Sequence, residues 1–220
     1  MFDNELYYHK EKLALSTIDG FRYHVKTINI PVNPFIYISQ KGKVRKDARQ
    51  ASRASLPAFG TVGFLAMEYI HDGDLSQHIS RIHNVQELCS LFTQIMYCFI
   101  ELSQKYKIYH GDINSGNVLI DKTDDEYSTH IVNGEERRVK TFGKIPKIID
   151  FGRSSKYYGD SPSDMDIIHD LTIAVPMCNN YVKNESIKKR INSMLIEQVS
   201  EYTDIDNFVN KIIEIFALRE

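Results

Sequence analysis

The chain is short of several things, and each shortage removes a class of protein. Of its 220 residues only three are cysteine: Cys89, Cys98 and Cys178. At these spacings they make neither a disulfide framework nor a metal-ligand set, and they read as reduced, mostly buried thiols. No apolar run reaches the ~18 residues that suggest a membrane-spanning helix. The opening MFDNELYYHKEK is polar and does not read as a signal peptide. An excess of charge is also missing. Lys and Arg number 27 and Asp and Glu 29, for a net charge of −2, which gives no general pull toward nucleic acid or a membrane surface. There is no internal repeat and no long low-complexity linker. The expectation is a reducing, cytoplasmic setting without a membrane partner.

What is present suits a packed domain. The chain is 42% hydrophobic and 25% charged, and long enough for one domain or two small lobes around a cleft. Residues 4 to 17 can form a helix, while 21 to 30 and 34 to 38 have strand composition. GFLAMEYI, 63 to 70, reads as a buried strand, followed by a turn at 71 to 74 and a short helix over 75 to 82. The strongest helix is 85 to 106, where Leu88, Leu91, Phe92, Ile95, Met96, Phe99 and Leu102 recur at helical spacing. NVLID is a strand. Residues 129 to 142 look like a hairpin around Asn133-Gly134, a pair suited to a two-residue turn with positive φ. KIIDFG, 147 to 152, is a short strand ending in an acidic turn, where Gly152 would let the backbone turn. Helices are expected over 163 to 175, 184 to 201 and 204 to 218. Strands come first and helices later, so the chain reads as α+β.

The chemistry concentrates in YHGDINSGNVLI, 109 to 120, and in the later IIDFG. Phosphoryl transfer asks little covalent work of a protein. It needs metal ions on the phosphate oxygens and a carboxylate to orient the attacking hydroxyl. Mg²⁺ prefers oxygen ligands and usually takes only one or two from the protein. Asp112 is a candidate base, Asn117 a neutral oxygen ligand, and Asp150 a second metal ligand at a strand end. A lone Asp in a turn is usually a cap or turn former. A His-x-Asp-x-x-x-x-Asn loop between a long apolar helix and a strand, followed by Ile-Asp-Phe-Gly, is a much rarer combination.

That combination resembles the protein kinase-like superfamily over about residues 63 to 175. HGDINSGN is similar to the catalytic loop, IDFG to the Mg-binding motif, and FLAMEYIHDGDL to the hinge between lobes. The resemblance implies a two-lobed fold, with 1–70 a reduced N-terminal lobe and hinge strand, and 71–220 a shortened helical lobe. It implies Mg·ATP in the cleft, with backbone groups of Glu68, Tyr69 and Ile70 meeting adenine. By the same likeness Asp112 is the catalytic base, Asn117 and Asp150 hold Mg²⁺, and His110 braces the loop. Asp164 or Asp166 resembles the Asp that ties the catalytic loop down, although either also suits a helix cap.

The chain departs from the family at named points. Gly111 stands where ordinary kinases carry the Arg that reads a phosphorylated activation loop. Asn114 stands where Ser/Thr kinases usually place a Lys, so it brings no charge near the γ-phosphate. HGD loops occur in small atypical protein kinases, in kinase-like enzymes of large DNA viruses, and in aminoglycoside and choline phosphotransferases. GDSPSD, 159 to 164, faintly resembles a motif of that small-molecule group. No Ala-Pro-Glu follows IDFG, and 68 residues remain after Gly152. About twenty residues more than usual separate Asn117 from Asp150, a kind of insertion that resembles the viral proteins.

The family's Gly-rich loop, strand Lys and helix Glu have no settled place. FGTVG, 59 to 63, directly abuts the hinge strand and reads as a turn. Lys26 in YHVKTI is one strand-lysine candidate. Alternatively 4 to 17 is the helix, with Glu5 or Glu11 as its Glu, and the loop and Lys lie upstream of Met1. The basic stretch 41 to 53 either contacts phosphates or is a solvated face. A nucleic-acid role would rest on that stretch alone. The resulting expectation is an atypical, Mg·ATP-dependent Ser/Thr protein kinase, located in the host cytoplasm if viral, with a partner protein completing the upper lobe. The alternatives are a degenerate pseudokinase scaffold and a small-molecule phosphotransferase.

Overall fold

The computed structural model describes residues 21–23, 27–28, 66–70, 72–82, 84–156, 162–179, 182–196 and 204–217. Expectations over 4–17, 34–38, 41–53 and 59–63, with Glu5, Glu11 and Lys26, lie outside these residues, as do 159–161 of GDSPSD. The described residues form a mixed α+β protein with small two-stranded antiparallel sheets and several helices. None of these helices is long and apolar enough to cross a membrane.

The chain divides into two compact units, Lys26–Tyr69 and a larger one made of Met1–Val25 with Ile70–Glu220. In the smaller unit β1 (Thr27–Ile28) pairs antiparallel with β2 (Ala66–Met67). The buried strand expected over 63–70 is corrected in its described part. The ladder covers Ala66 and Met67, Glu68–Ile70 carry no regular structure, and Met67 and Tyr69 are exposed.

The larger unit is built around one helix. After α1 (Leu75–Ile79) comes α2 (Val85–Gln104), opened by Asn84, whose Oδ1 accepts from the N–H groups of Gln86 and Glu87. Its apolar repeat places Leu88, Leu91, Phe92, Ile95, Met96, Phe99 and Leu102 in the core. Short strands follow: β3 (Ile108–Tyr109), β4 (Val118–Lys122), β5 (Tyr127–Val132), β6 (Glu135–Lys140), β7 (Lys144–Ile148) and β8 (Ser155–Lys156). Helices α3 (Asp164–Asn179), α4 (Glu185–Ile196) and α5 (Ile205–Ala217) complete the order, and α2 packs against β5, β7, α3 and α5. Helix α3 runs through Pro176, one turn beyond the expected end at 175, so the missing proline N–H does not stop it here. Helix α1 ends earlier than expected, at Ile79, and α4 is described over Glu185–Ile196.

The expected hairpin is β5–β6, with Asn133 at φ 54° and Gly134 at φ 77° in its turn. Alternation along β5 turns Ser128, His130 and Val132 inward. The hairpin tip is fastened to the end of α2. Gln104 Nε2 donates to Asn133 Oδ1 at 2.6 Å, and Asn133 N donates to Gln104 Oε1 at 2.8 Å.

Residues 21–23 do not continue the strand expected over 21–30. They form a turn belonging to the larger unit. Phe21 and Tyr23 are buried there while Arg22 is exposed, so residues of strand composition here alternate in and out within a turn. Tyr23 stacks on His130 with ring centroids 4.4 Å apart, and its hydroxyl donates to Thr129 O at 2.7 Å. Cys98 is buried, and that burial pushes its thiol well above the ordinary range, as expected of an inert core thiol.

Candidate active site

Two strand pairs hold two loop segments face to face. On one side Tyr109 of β3 lies opposite Ser155 of β8; on the other Val118 of β4 lies opposite Ile148 of β7. Between these pairs the chain runs out from His110 to Asn117 and back from Ile149 to Ser154. Ile149 N donates to Asn117 O at 3.0 Å, extending the second ladder by one step. Register follows from burial, because Val118, Ile120 and Ile148 are all fully buried and a one-residue slip would turn them outward. Asp112 and Asn117 therefore stand on one segment and Asp150 on the other.

His110 cross-links the segments. It is buried between Phe151 and Phe99, whose ring centroids lie 4.9 and 5.9 Å away. Its Nε2 donates to Ile149 O at 3.0 Å, and its Nδ1 accepts from the Asp112 N–H at 3.4 Å. One neutral tautomer, protonated on Nε2, satisfies both bonds. Burial holds the ring's pKa below the usual histidine value, which keeps that tautomer uncharged. The bracing expected of His110 is visible in these two bonds.

Gly111 has a steric job. Its φ is +75°, and a Cβ built there would stand 2.5 Å from the Arg153 carbonyl oxygen. Only a residue without a side chain lets the two backbones come so close. Asn114 shapes the loop. Its Oδ1 accepts from Gly116 N at 2.9 Å, and its Nδ2 donates to Asp112 O at 3.2 Å. Asn117 Nδ2 also donates to Asp112 O, at 2.8 Å. The nitrogen end of Asn117 is thus committed to the loop, and its oxygen end is the one suited to a cation.

Asp150 sits at φ 62°, ψ 67°, an uncommon left-handed conformation for a residue with a side chain. Its carboxylate accepts from Gly152 N at 3.4 Å as the chain enters the Phe151–Arg153 3₁₀ turn. The sharp bend expected at Gly152 is therefore made two residues earlier, by Asp150 itself. Non-glycine residues held in this region cost of order 1–3 kcal/mol and cluster at functional sites. Phe151, buried at 1% exposure, anchors the turn from below.

Asp112 is part-exposed, and Arg153 Nη1 lies 3.8 Å from its Oδ1. Sequence reasoning overlooked Arg153. The available signal was a cation placed directly after Asp-Phe-Gly, opposite a loop whose Asn114 carries no charge. Of the hinge residues, Glu68 and Tyr69 belong to the smaller unit and Ile70 opens the larger one. Asp164 accepts from Ile205 N at 3.4 Å, at the start of α5, and Asp166 accepts from Ser163 N at 2.9 Å. These contacts serve helix starts. Among the described residues no three His, Cys, Asp or Glu side chains are grouped to hold a metal ion.

No protein-family model matches the chain. The chain is similar to an uncharacterized protein of Caenorhabditis elegans, ZK177.2, at 27% identity over 111 residues. That match covers 50% of this chain and 37% of the nematode protein, so the chain spans well under half of that relative's length.

Proposed function

We propose that the protein is a small, atypical, two-lobed protein kinase-like enzyme that transfers the γ-phosphoryl group of Mg·ATP to Ser or Thr hydroxyls of proteins. The observation that carries this reading is the joining of the segment that bears Asp112 and Asn117 to the one that bears a left-handed Asp150, through the Ile149–Asn117 backbone bond and the buried His110. In this reading Asp112 orients the acceptor hydroxyl and takes up its proton as the new O–P bond forms. The bond from the γ-phosphorus to its bridging oxygen breaks, and ADP departs. Backbone groups of Glu68, Tyr69 and Ile70 would meet the adenine.

The donor set suits Mg²⁺. One carboxylate, Asp150, and one amide oxygen, Asn117, are hard ligands, few enough to leave positions for water and phosphate oxygens. Bound there, Mg²⁺ would offset the charge of the phosphate oxygens. A cytoplasmic setting and a protein substrate belong to the same reading.

The test is label transfer from γ-labelled ATP with Mg²⁺ to a generic basic protein and to the protein itself, beside Asp150→Asn. Labelling that disappears in the variant supports the reading. A folded wild-type protein with neither Mg·ATP binding nor transfer would refute it. Transfer to an aminoglycoside or choline, without labelling of protein, would replace the protein acceptor by a small molecule.

A further inference from the structure

Resting on that reading, we infer that Arg153 is the phosphate-facing cation of the site. It is held against Asp112 until Mg·ATP arrives and then passes to the phosphoryl group in transfer. The placement of its root is built into the fold. The Phe151–Arg153 turn is fixed by buried Phe151, and the Arg153 carbonyl rests in the space that Gly111 leaves by lacking a Cβ. A larger residue at 111 would push the turn, and Arg153 with it, away from the loop.

The guanidinium itself is loosely held. Its partner oxygen on Asp112 is 3.8 Å away, and the two side chains are 60% and 30% exposed. A pair so long and so wet contributes little to stability. It is therefore easily exchanged for a better partner. A phosphoryl group carries more charge than a carboxylate and can accept two parallel N–H bonds from the planar guanidinium. Moving Arg153 to the phosphate also frees the Asp112 carboxylate for the acceptor hydroxyl. Asn114 cannot supply the cation, because its side chain is a neutral amide, itself bonded to Gly116 N and Asp112 O. Among the described residues Arg153 is the cation seen paired with Asp112.

The experiment has two arms on the full chain. In the first, phenylglyoxal modification of Arg153 is followed by mass spectrometry, with Mg²⁺ alone, Mg·ADP, or Mg²⁺ with a non-hydrolysable ATP analogue. Protection by the triphosphate and not by the diphosphate is expected; equal modification in all three would overturn the inference. In the second, Arg153→Gln should lower kcat/KM for ATP by about 10²-fold or more, and Arg153→Lys should recover part of the loss. An Arg153→Gln enzyme as fast as wild type would also overturn it. The two failures separate cleanly. Wild type that neither binds nor turns over Mg·ATP removes the phosphotransferase reading itself. Wild type that binds, with Arg153 unprotected or dispensable, removes only the assignment of Arg153.

Discussion

Replacing Gly111 by alanine tests the geometry of the site without any assumption about its chemistry. Two separate costs are expected. The first is conformational: φ is +75°, and an L-residue in the left-handed region costs roughly 1–2 kcal/mol. The second is steric. The new methyl would lie 2.5 Å from the Arg153 oxygen and 3.2 Å from its carbonyl carbon. Both atoms are backbone, so no rotamer change relieves the contact, and the 151–153 turn must shift; forced overpacking of this kind costs roughly 1–3 kcal/mol. Gly111→Ala should therefore lose about 2–5 kcal/mol. The control is inside the same protein. Gly134 has nearly the same φ, +77°, but nothing lies within 4 Å of its added Cβ, so Gly134→Ala should show the first cost alone. Urea unfolding followed by circular dichroism gives both values from midpoint and slope. Equal losses at the two positions would refute the close approach of Gly111 to Arg153, and with it the explanation of why glycine stands in this loop.

Other perturbations have equally definite outcomes. Asp112→Ala should abolish label transfer while leaving the thermal midpoint within a few degrees of wild type, because the side chain is part-exposed and its ion pair is long. Burial holds His78, His110 and His130 below the usual histidine pKa, His130 down to about 3, whereas unfolded histidines titrate near 6.5. The unfolded chain thus binds more protons in acid, so this stability is fully present above pH ~6.5. It is lost as the pH falls from there toward 3, with a slope approaching about 1.4 kcal/mol per pH unit for each group while it stays neutral in the fold. Urea midpoints at pH 7.5 and 5 check this, and His130→Gln should flatten the dependence. Gln104→Ala removes both bonds to Asn133 and should cost about 1–2 kcal/mol. Hydrogen exchange should quicken first at the amides of the β5–β6 hairpin.

Where one residue type has one physical use, the sequence could be read directly. The apolar repeat of α2 has no exposed alternative, and Asn133-Gly134 suits a tight turn that few other pairs make. The motif order, His110, Asp112 and Asn117 before one strand and Asp150 at the end of another, was legible from spacing, whereas the pairing of β4 with β7 that joins their segments was not. Contacts between distant segments were not legible. Phe21 and Tyr23 alternate with Arg22 as a strand would, and nothing local shows that His130, more than a hundred positions away, receives the Tyr23 ring. Gly111 invited comparison with a missing arginine, yet its reason lies in the backbone of Arg153. Gly152 looked like the bend before Asp150 proved to make it, because Asp150 can satisfy its own turn by accepting from Gly152 N.

The insertion between β4 and β7 has a bearing on how the chain assembles. A hairpin closed by a two-residue turn forms locally, on a scale of roughly 1–10 μs. Once β5 and β6 are zipped, the stretch still to be closed between Lys122 and Lys144 shrinks to roughly a third, which lowers the loop-closure entropy by about 1 kcal/mol. The hairpin would then act as a local nucleus that draws the two site-bearing strands together. Asn117 and Asp150, far apart along the chain, would meet only after a segment that contributes no candidate site residue has formed. Slowing that turn, for instance with Gly134→Val, should delay the appearance of the whole site in a refolding experiment.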